Sequence, residues 1–211
     1  MFGGEENVSD HYYSKKPQSK SDQRSIEVWV CQEKLRFVTE AGVFSKSDID
    51  FGSRLLIETI VDESKSKDVQ GQHWLDLGCG YGAIGVSLLR QIQRLNISML
   101  DINERALECA RENLKFHQIT NARIIQSDGL SAVADERFDR IVTNPPIRAG
   151  KQMIHSWYEQ AHRVLNENGQ LWLVIQKKQG APSTWEKLKS IFPIVEEMAR
   201  EKGYSIFRAI K

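Results

Sequence analysis

No stretch of this chain is both long and apolar enough to cross a bilayer as a helix, and its first residues are polar and acidic, unlike a secretory signal. Cysteine is scarce. Cys31, Cys79 and Cys109 are odd in number, widely spaced and without a Cys-x-x-Cys pair, which excludes a disulfide framework and points to reduced thiols in a cytoplasmic protein. The histidines (His11, His73, His117, His155 and His162) show no ligand spacing with cysteine or with one another, so no metal is expected. Net charge is nearly absent at +1, which argues against a broad phosphate-neutralising surface. Internal repeats and low-complexity segments are also missing.

What remains fits one domain of 211 residues with a small extension. From Met1 to about Ser25 the chain is polar without an apolar period and reads as a flexible arm, with Tyr12 and Tyr13 as exceptions. Ile26, Val28 and Val30 alternate with Glu27 and Trp29; Gln32-Glu33-Lys34 follows, then Leu35 and Phe37. That is the pattern of a β-hairpin turning at the polar triplet. The extension closes with the loop Ala41–Lys46, and residues 47–211 form the core. A first helix is expected from Ser47 or Asp48, either able to serve as N-cap, through Leu55, Leu56 and Ile60.

Thereafter short strand-like runs alternate with helix-period segments. The runs are His73–Leu77, Ile97–Asp101, Ala122–Gln126, Arg140–Thr143 and Leu171–Gln176; the helices are Ile84–Gln93, Glu104–Phe116 and Lys151–Leu165. Strands joined by crossover helices imply a parallel sheet with helices on both faces. Ile194–Met198 and Tyr204–Ile210, separated by only Glu201-Lys202-Gly203, read as a hairpin, so one terminal strand should run antiparallel.

Two stretches carry chemistry. Trp74-Leu75-Asp76-Leu77-Gly78-Cys79-Gly80-Tyr81-Gly82 leaves a strand and enters a helix, where glycines permit close ligand approach and the helix start offers free N–H groups. The same residues satisfy the dinucleotide pattern, so an NAD-dependent oxidoreductase is a rival reading. Asp76 disfavours it, because a carboxylate ahead of the glycines repels a pyrophosphate but suits an ammonium group. Asp101 ends the second strand and can accept ribose hydroxyls; Asp128, in Ser127-Asp128-Gly129, can accept from an adenine amine. An acid at each of three successive strand ends describes a pocket for an amino acid joined to an adenosine, which is S-adenosylmethionine. Further on, Asn144-Pro145-Pro146 stops a β-branched run. Proline holds Asn144 extended and removes a donor, so an amide oxygen and a backbone carbonyl stand side by side as acceptors for a planar –NH2 group.

In these residues the sequence resembles the class I S-adenosylmethionine-dependent methyltransferases, and more narrowly the RsmC-like rRNA guanine-N2 methyltransferase group. The resemblance runs through His11-Tyr12-Tyr13-Ser14, Gly42-Val43-Phe44-Ser45, Asp50-Phe51-Gly52-Ser53, Asp76–Gly82, Asp101–Ala106, Ser127–Gly129 and Asn144–Lys151. It implies a Rossmann-like sheet of seven strands, one of them antiparallel. It also implies a cofactor site of Asp76, Gly78, Cys79, Gly80, Tyr81, Gly82, Asp101, Ile102, Ser127, Asp128, Gly129 and Asn144. Asn144, Pro145, Pro146 and Ile147 are the expected catalytic residues. Phe44, Ser45, Arg148, Lys151, Lys177 and Lys178 are the expected contacts to substrate. Larger members of the group carry a second related domain, for which this chain has no room.

The implied partner is ribosomal RNA or the small ribosomal subunit, met by a monomer or weak dimer. Many base-modifying relatives carry an aromatic after Asn-Pro-Pro, where this chain has Ile147; Phe44 is the candidate stacking platform instead. Two further readings stay open: a protein-glutamine methyltransferase, since a carboxamide offers the same –NH2, and a non-catalytic RNA-binding or assembly factor that kept the fold.

Overall fold

A computed structural model of the chain describes residues 23–40 and 48–211. It opens with an antiparallel hairpin, β1 (Gln23–Val30) and β2 (Glu33–Glu40), whose Ile26, Val28, Val30, Leu35 and Phe37 are buried. Arg24 and Ser25, expected in the arm, lie in β1. The turn falls on Cys31 and Gln32 rather than on Gln32–Lys34: both have positive φ, 48° and 68°, the backbone of a two-residue turn whose twist matches the strands.

Helix α1 (Phe51–Ser64) is capped by Asp50, whose Oδ1 accepts from the Ser53 N–H at 3.0 Å. Asp48, one of the two caps expected, instead accepts from Ile49 N–H and pairs with Arg54; Ser47, the other, lies outside the described residues.

The order then continues β3 (His73–Leu77), α2 (Ala83–Gln91), β4 (Asn96–Asp101), α3 (Glu104–Phe116), β5 (Ala122–Gln126), β6 (Phe138–Thr143), α4 (Lys151–Val164), β7 (Leu165–Gln176), α5 (Ala181–Lys189), β8 (Ile194–Glu201) and β9 (Tyr204–Ile210). These seven strands form one sheet in the order β5-β4-β3-β6-β7-β9-β8, in which β9 runs opposite to the other six. The Rossmann-like α/β architecture expected from the sequence is the one observed. β7 starts earlier than the apolar run suggested: Leu165 pairs with Phe138, and the polar residues up to Gly169 absorb a register shift, with Asn168 at φ 62°.

Strand alternation sends successive side chains to opposite layers. Trp74, Ile97, Met99, Val142, Trp172, Val174 and Ile206 face α1, α2, α3 and the hairpin. Leu75, Leu77, Leu100, Ile141, Leu171, Leu173 and Phe207 face α4 and α5. Each such aliphatic side chain contributes roughly 1.5–3 kcal/mol by leaving water, so the sheet centre is the stable floor on which the strand ends are held. Asn113, fully buried, fastens the hairpin to this floor. Its Oδ1 accepts from Val38 N–H at 2.7 Å, and its Nδ2 donates to the Val38 and Tyr81 carbonyls at 2.9 and 2.8 Å. No described helix is long and apolar enough to cross a membrane.

Candidate active site

Chain order reverses between β3 and β6. From β3 the sheet grows outward through β4 to β5, then the chain returns to β6 on the other side of β3. In open α/β sheets the carboxyl ends at such a switch point form the ligand crevice. Here Leu75 pairs with Ile141 and Asp76 with Val142, so the glycine turn after β3 and Asn144-Pro145-Pro146 after β6 leave from adjacent strands. Thr143 Oγ1 donates to the Leu77 carbonyl at 2.8 Å and locks the two exits together.

The glycine turn is built from backbone. Gly78 and Cys79 N–H both donate to the Leu100 carbonyl at 2.8 Å. Gly80 N–H donates to Asp101 Oδ2 at 2.9 Å. Gly82 stands at φ 91°, and a Cβ there would meet Met99 Cε at 2.8 Å, so only glycine fits. Trp157 of α4 supports the turn from the other layer, its ring beneath Gly78 and its Nε1 within 3.0 Å of where a Gly129 Cβ would be. Burial pushes the Cys79 thiol and the Tyr81 phenol up, so both stay neutral.

Asp76 lies beneath the turn and is 0% exposed. Its Oδ2 accepts from Gly85 N–H at 2.8 Å, and Gly85 lets α2 approach because a Cβ would stand 3.0 Å from that oxygen. Its Oδ1 has no partner. Desolvation raises its pKa to about 7, lowered by the Gly85 N–H and raised further by Asp101.

Asp101 is nearly buried at the end of β4; its Oδ1 accepts from Asn103 N–H at 2.9 Å while its Oδ2 holds Gly80. Ile102 is half-buried beside it, and its carbonyl accepts from Gln126. Ser127 is buried, its hydroxyl accepting from Ala132 N–H, whereas Asp128 is exposed and Gly129 has φ 57°. Asp76 in β3, Asp101 at the end of β4 and Asp128 just after β5 thus belong to neighbouring strands, Asp76 and Asp101 buried and Asp128 exposed.

Asn144 is half-buried. Its Nδ2 donates to Ser53 Oγ at 2.9 Å and to Asp50 Oδ1 at 3.2 Å. Pro145 is buried, while Pro146 and Ile147 are half-buried. Lys151 is exposed at the start of α4; Lys177 and Lys178 are exposed just past β7, the strand beside β6. Lys177 also borders a groove of about 440 Å³ between α5 and the β8–β9 hairpin, with Trp185 and Arg200. Phe44 and Ser45, and the side chain of Arg148, lie outside what is described. The sequence reading gave no role to Ser53, Gly85 or Trp157. A serine in a helix's first turn, a glycine inside a helix and a tryptophan on an apolar helix face each look ordinary until the contacts are seen.

A switch-point crevice with a glycine turn and acids on consecutive strands defines a class I methyltransferase fold. The sequence profile of the methyltransferase small domain matches residues 34–208, and the chain belongs to that family. It is 46% identical over 205 residues to YbxB of Bacillus subtilis, itself uncharacterized, covering 97% of this chain and 100% of that one. It is 34% identical over 167 residues to ribosomal RNA small subunit methyltransferase C of Actinobacillus pleuropneumoniae, covering 77% of this chain and 49% of that one. Among solved structures, the T. thermophilus 16S rRNA N2 G1207 methyltransferase (RsmC), in complex with AdoMet and guanosine, superposes with TM-score 0.80 at 25% identity over 93% of this chain and 52% of its own. The chain therefore spans about half the length of the named rRNA methyltransferases it matches. S-adenosylmethionine is the cofactor of this family. The residues present fit that cofactor: glycines keep the turn open, Asp101 and Asp128 stand at the strand ends, and the unpartnered Asp76 Oδ1 lies under the turn.

Proposed function

We propose that the protein methylates the exocyclic amine of an RNA base, guanine N2 of small-subunit ribosomal RNA. The observation that carries this reading is the departure of Asn144-Pro145 and the glycine turn from adjacent strands. When bound, S-adenosylmethionine supplies an electrophilic methyl group on a sulfonium. The chain supplies position. An exocyclic amine is a poor nucleophile because its lone pair is delocalised into the ring. Asn144 Oδ1 and the Pro145 carbonyl accept its two hydrogens, draw the nitrogen toward a tetrahedral shape and aim the lone pair. Alignment of this kind contributes on the order of several kcal/mol. No strong base is required, since the amine becomes acidic only once methylated.

In this reading Asp101 takes the ribose hydroxyls, Asp128 the adenine amine, and Ile102 packs on the adenine. Gly78, Cys79, Gly80, Tyr81, Gly82, Ser127 and Gly129 shape the cavity, and Asp76 supports it from below. Pro146 and Ile147 give the base an apolar contact, and a base within a helix has to be extruded to reach it. Phe44 and Ser45 are assigned to substrate contact. Arg148, Lys151, Lys177 and Lys178 meet phosphates around the rim. Residues 26–211 act as a single catalytic domain, with the arm before it.

The test is tritiated-methyl transfer to ribosomal RNA, assembled small subunits and release factors from a strain lacking the protein, followed by mapping of the modified residue. Label on guanine N2 is the expected result. Label on a release-factor glutamine instead, or on no RNA, overturns the reading.

A further inference from the structure

The acceptor role of Asn144 depends on which end of its carboxamide faces the substrate, and the surrounding residues decide that. Asp50, as a carboxylate, can only accept. The –NH2 of Asn144 is therefore the end that meets Asp50 Oδ1 at 3.2 Å, and its second hydrogen goes to Ser53 Oγ at 2.9 Å. With both hydrogens used, the amide oxygen is left on the opposite side. A flipped amide would set oxygen against the Asp50 carboxylate oxygen and lose that bond, while the Ser53 hydroxyl, able to donate as well as accept, fits either end; Asp50 is therefore what fixes the orientation.

The two acceptors are themselves fixed. Asp50 Oδ1 also takes the Ser53 N–H at 3.0 Å as the N-cap of α1, and Ser53 is only 5% exposed. Gly52 keeps the neighbourhood open, since a Cβ there would stand 3.2 Å from Asp50 Oδ1 and 3.0 Å from the Tyr204 ring. Backbone on the other side is fixed by the Thr143 hydroxyl on the Leu77 carbonyl. An acceptor that is already aligned loses no free energy to reorganisation when the substrate amine arrives.

We propose that Asp50 and Ser53 are positioning residues that hold the Asn144 carboxamide with its oxygen turned toward the substrate amine. The first turn of α1 is then part of the catalytic apparatus, acting through Asn144 without touching the base. The proposal rests on the methyl-transfer reading for its purpose, though not for its geometry.

The decisive variant is Asp50→Ser with Ser53→Ala. Serine remains a good N-cap, so α1 stays capped, but its shorter side chain no longer reaches Asn144. Methyl transfer to the RNA at saturating substrate should fall about tenfold to a hundredfold, the penalty of a misplaced reacting group. The KM for RNA, the S-adenosylmethionine affinity measured by calorimetry and the melting temperature should stay close to wild type. Ser53→Thr, which keeps a hydroxyl, should retain transfer. Near-wild-type transfer by the double variant overturns the proposal.

A second measurement needs no substrate. Asn144→Asp sets two carboxylates against each other and should lower the melting temperature, and adding Asp50→Asn should recover most of that loss. Absence of this coupling overturns the clamp, whatever the substrate. Coupling present with no methyl transfer by the wild type to any RNA defeats the functional reading and leaves the clamp standing.

Discussion

Glu63, near the end of α1, and Asp76, near the carboxyl end of β3, are carboxylates withdrawn from water on the same side of the sheet. Glu63 meets Arg140 at 2.9 Å, Arg208 at 3.0 Å and also Lys67; Arg140 in turn lies over the Trp74 ring, and Arg208 continues to Glu196. Burial raises its pKa, but the Lys67 and Arg140 contacts outweigh this and leave it lowered. Asp76 has one backbone donor and one oxygen with none, and burial takes its pKa up to about 7. At the amino-terminal end of the sheet, charge is closed into a network that supports folding. At the carboxyl end, beneath the glycine turn, Asp76 keeps one oxygen without a partner.

The largest effect that could break this contrast is on stability. Glu63→Ala strands Arg140, which is 3% exposed, beside Arg208. Removing one partner of a buried pair costs about 3–5 kcal/mol, readable in urea unfolding. A cost under about 1 kcal/mol would mean the network behaves as an exposed surface pair.

A smaller effect sharpens the contrast through pH. Asp76 has a folded pKa of about 7 against 3.8 for its ordinary value, so over that interval the native state holds the extra proton. Unfolding then releases a proton, and the contribution of this residue to stability falls as pH rises from about 4 to 7. Glu63 has the opposite sign: its contribution is present above its ordinary value of 4.5 and is lost as pH falls below it. Asp76→Asn should therefore flatten the decline between pH 4 and 7 in thermal melts, and leave the acid limb intact. An unchanged slope in Asp76→Asn would show that the carboxylate is ionised and satisfied in the native state.

Much of this was legible in the sequence because the signals are local. Short strands bounded by turn residues, the glycines at 78, 80 and 82, and a proline pair after a β-branched run each carry their meaning within a few positions. Signals split between two equivalent residues were not. Asp48 is as fair a cap as Asp50, and what separates them is the Ser53 N–H on Asp50 while Asp48 turns to Ile49 N–H and Arg54. Cys31 and Gln32 lack the composition of a left-handed turn, so its position was missed. A carboxylate before a glycine turn reads the same whether it faces a ligand or the core, and Gly85 decides between them from nine residues away. The Asn144 clamp spans separations of 94 and 91 residues, which no local pattern encodes.

The most direct measurement is methyl transfer by Asn144→Ala to undermethylated ribosomal RNA, alongside its S-adenosylmethionine affinity. The expected result is transfer lost by at least about a hundredfold with cofactor binding essentially retained. An Asn144→Ala protein that methylates at the wild-type rate would contradict the role of this strand end.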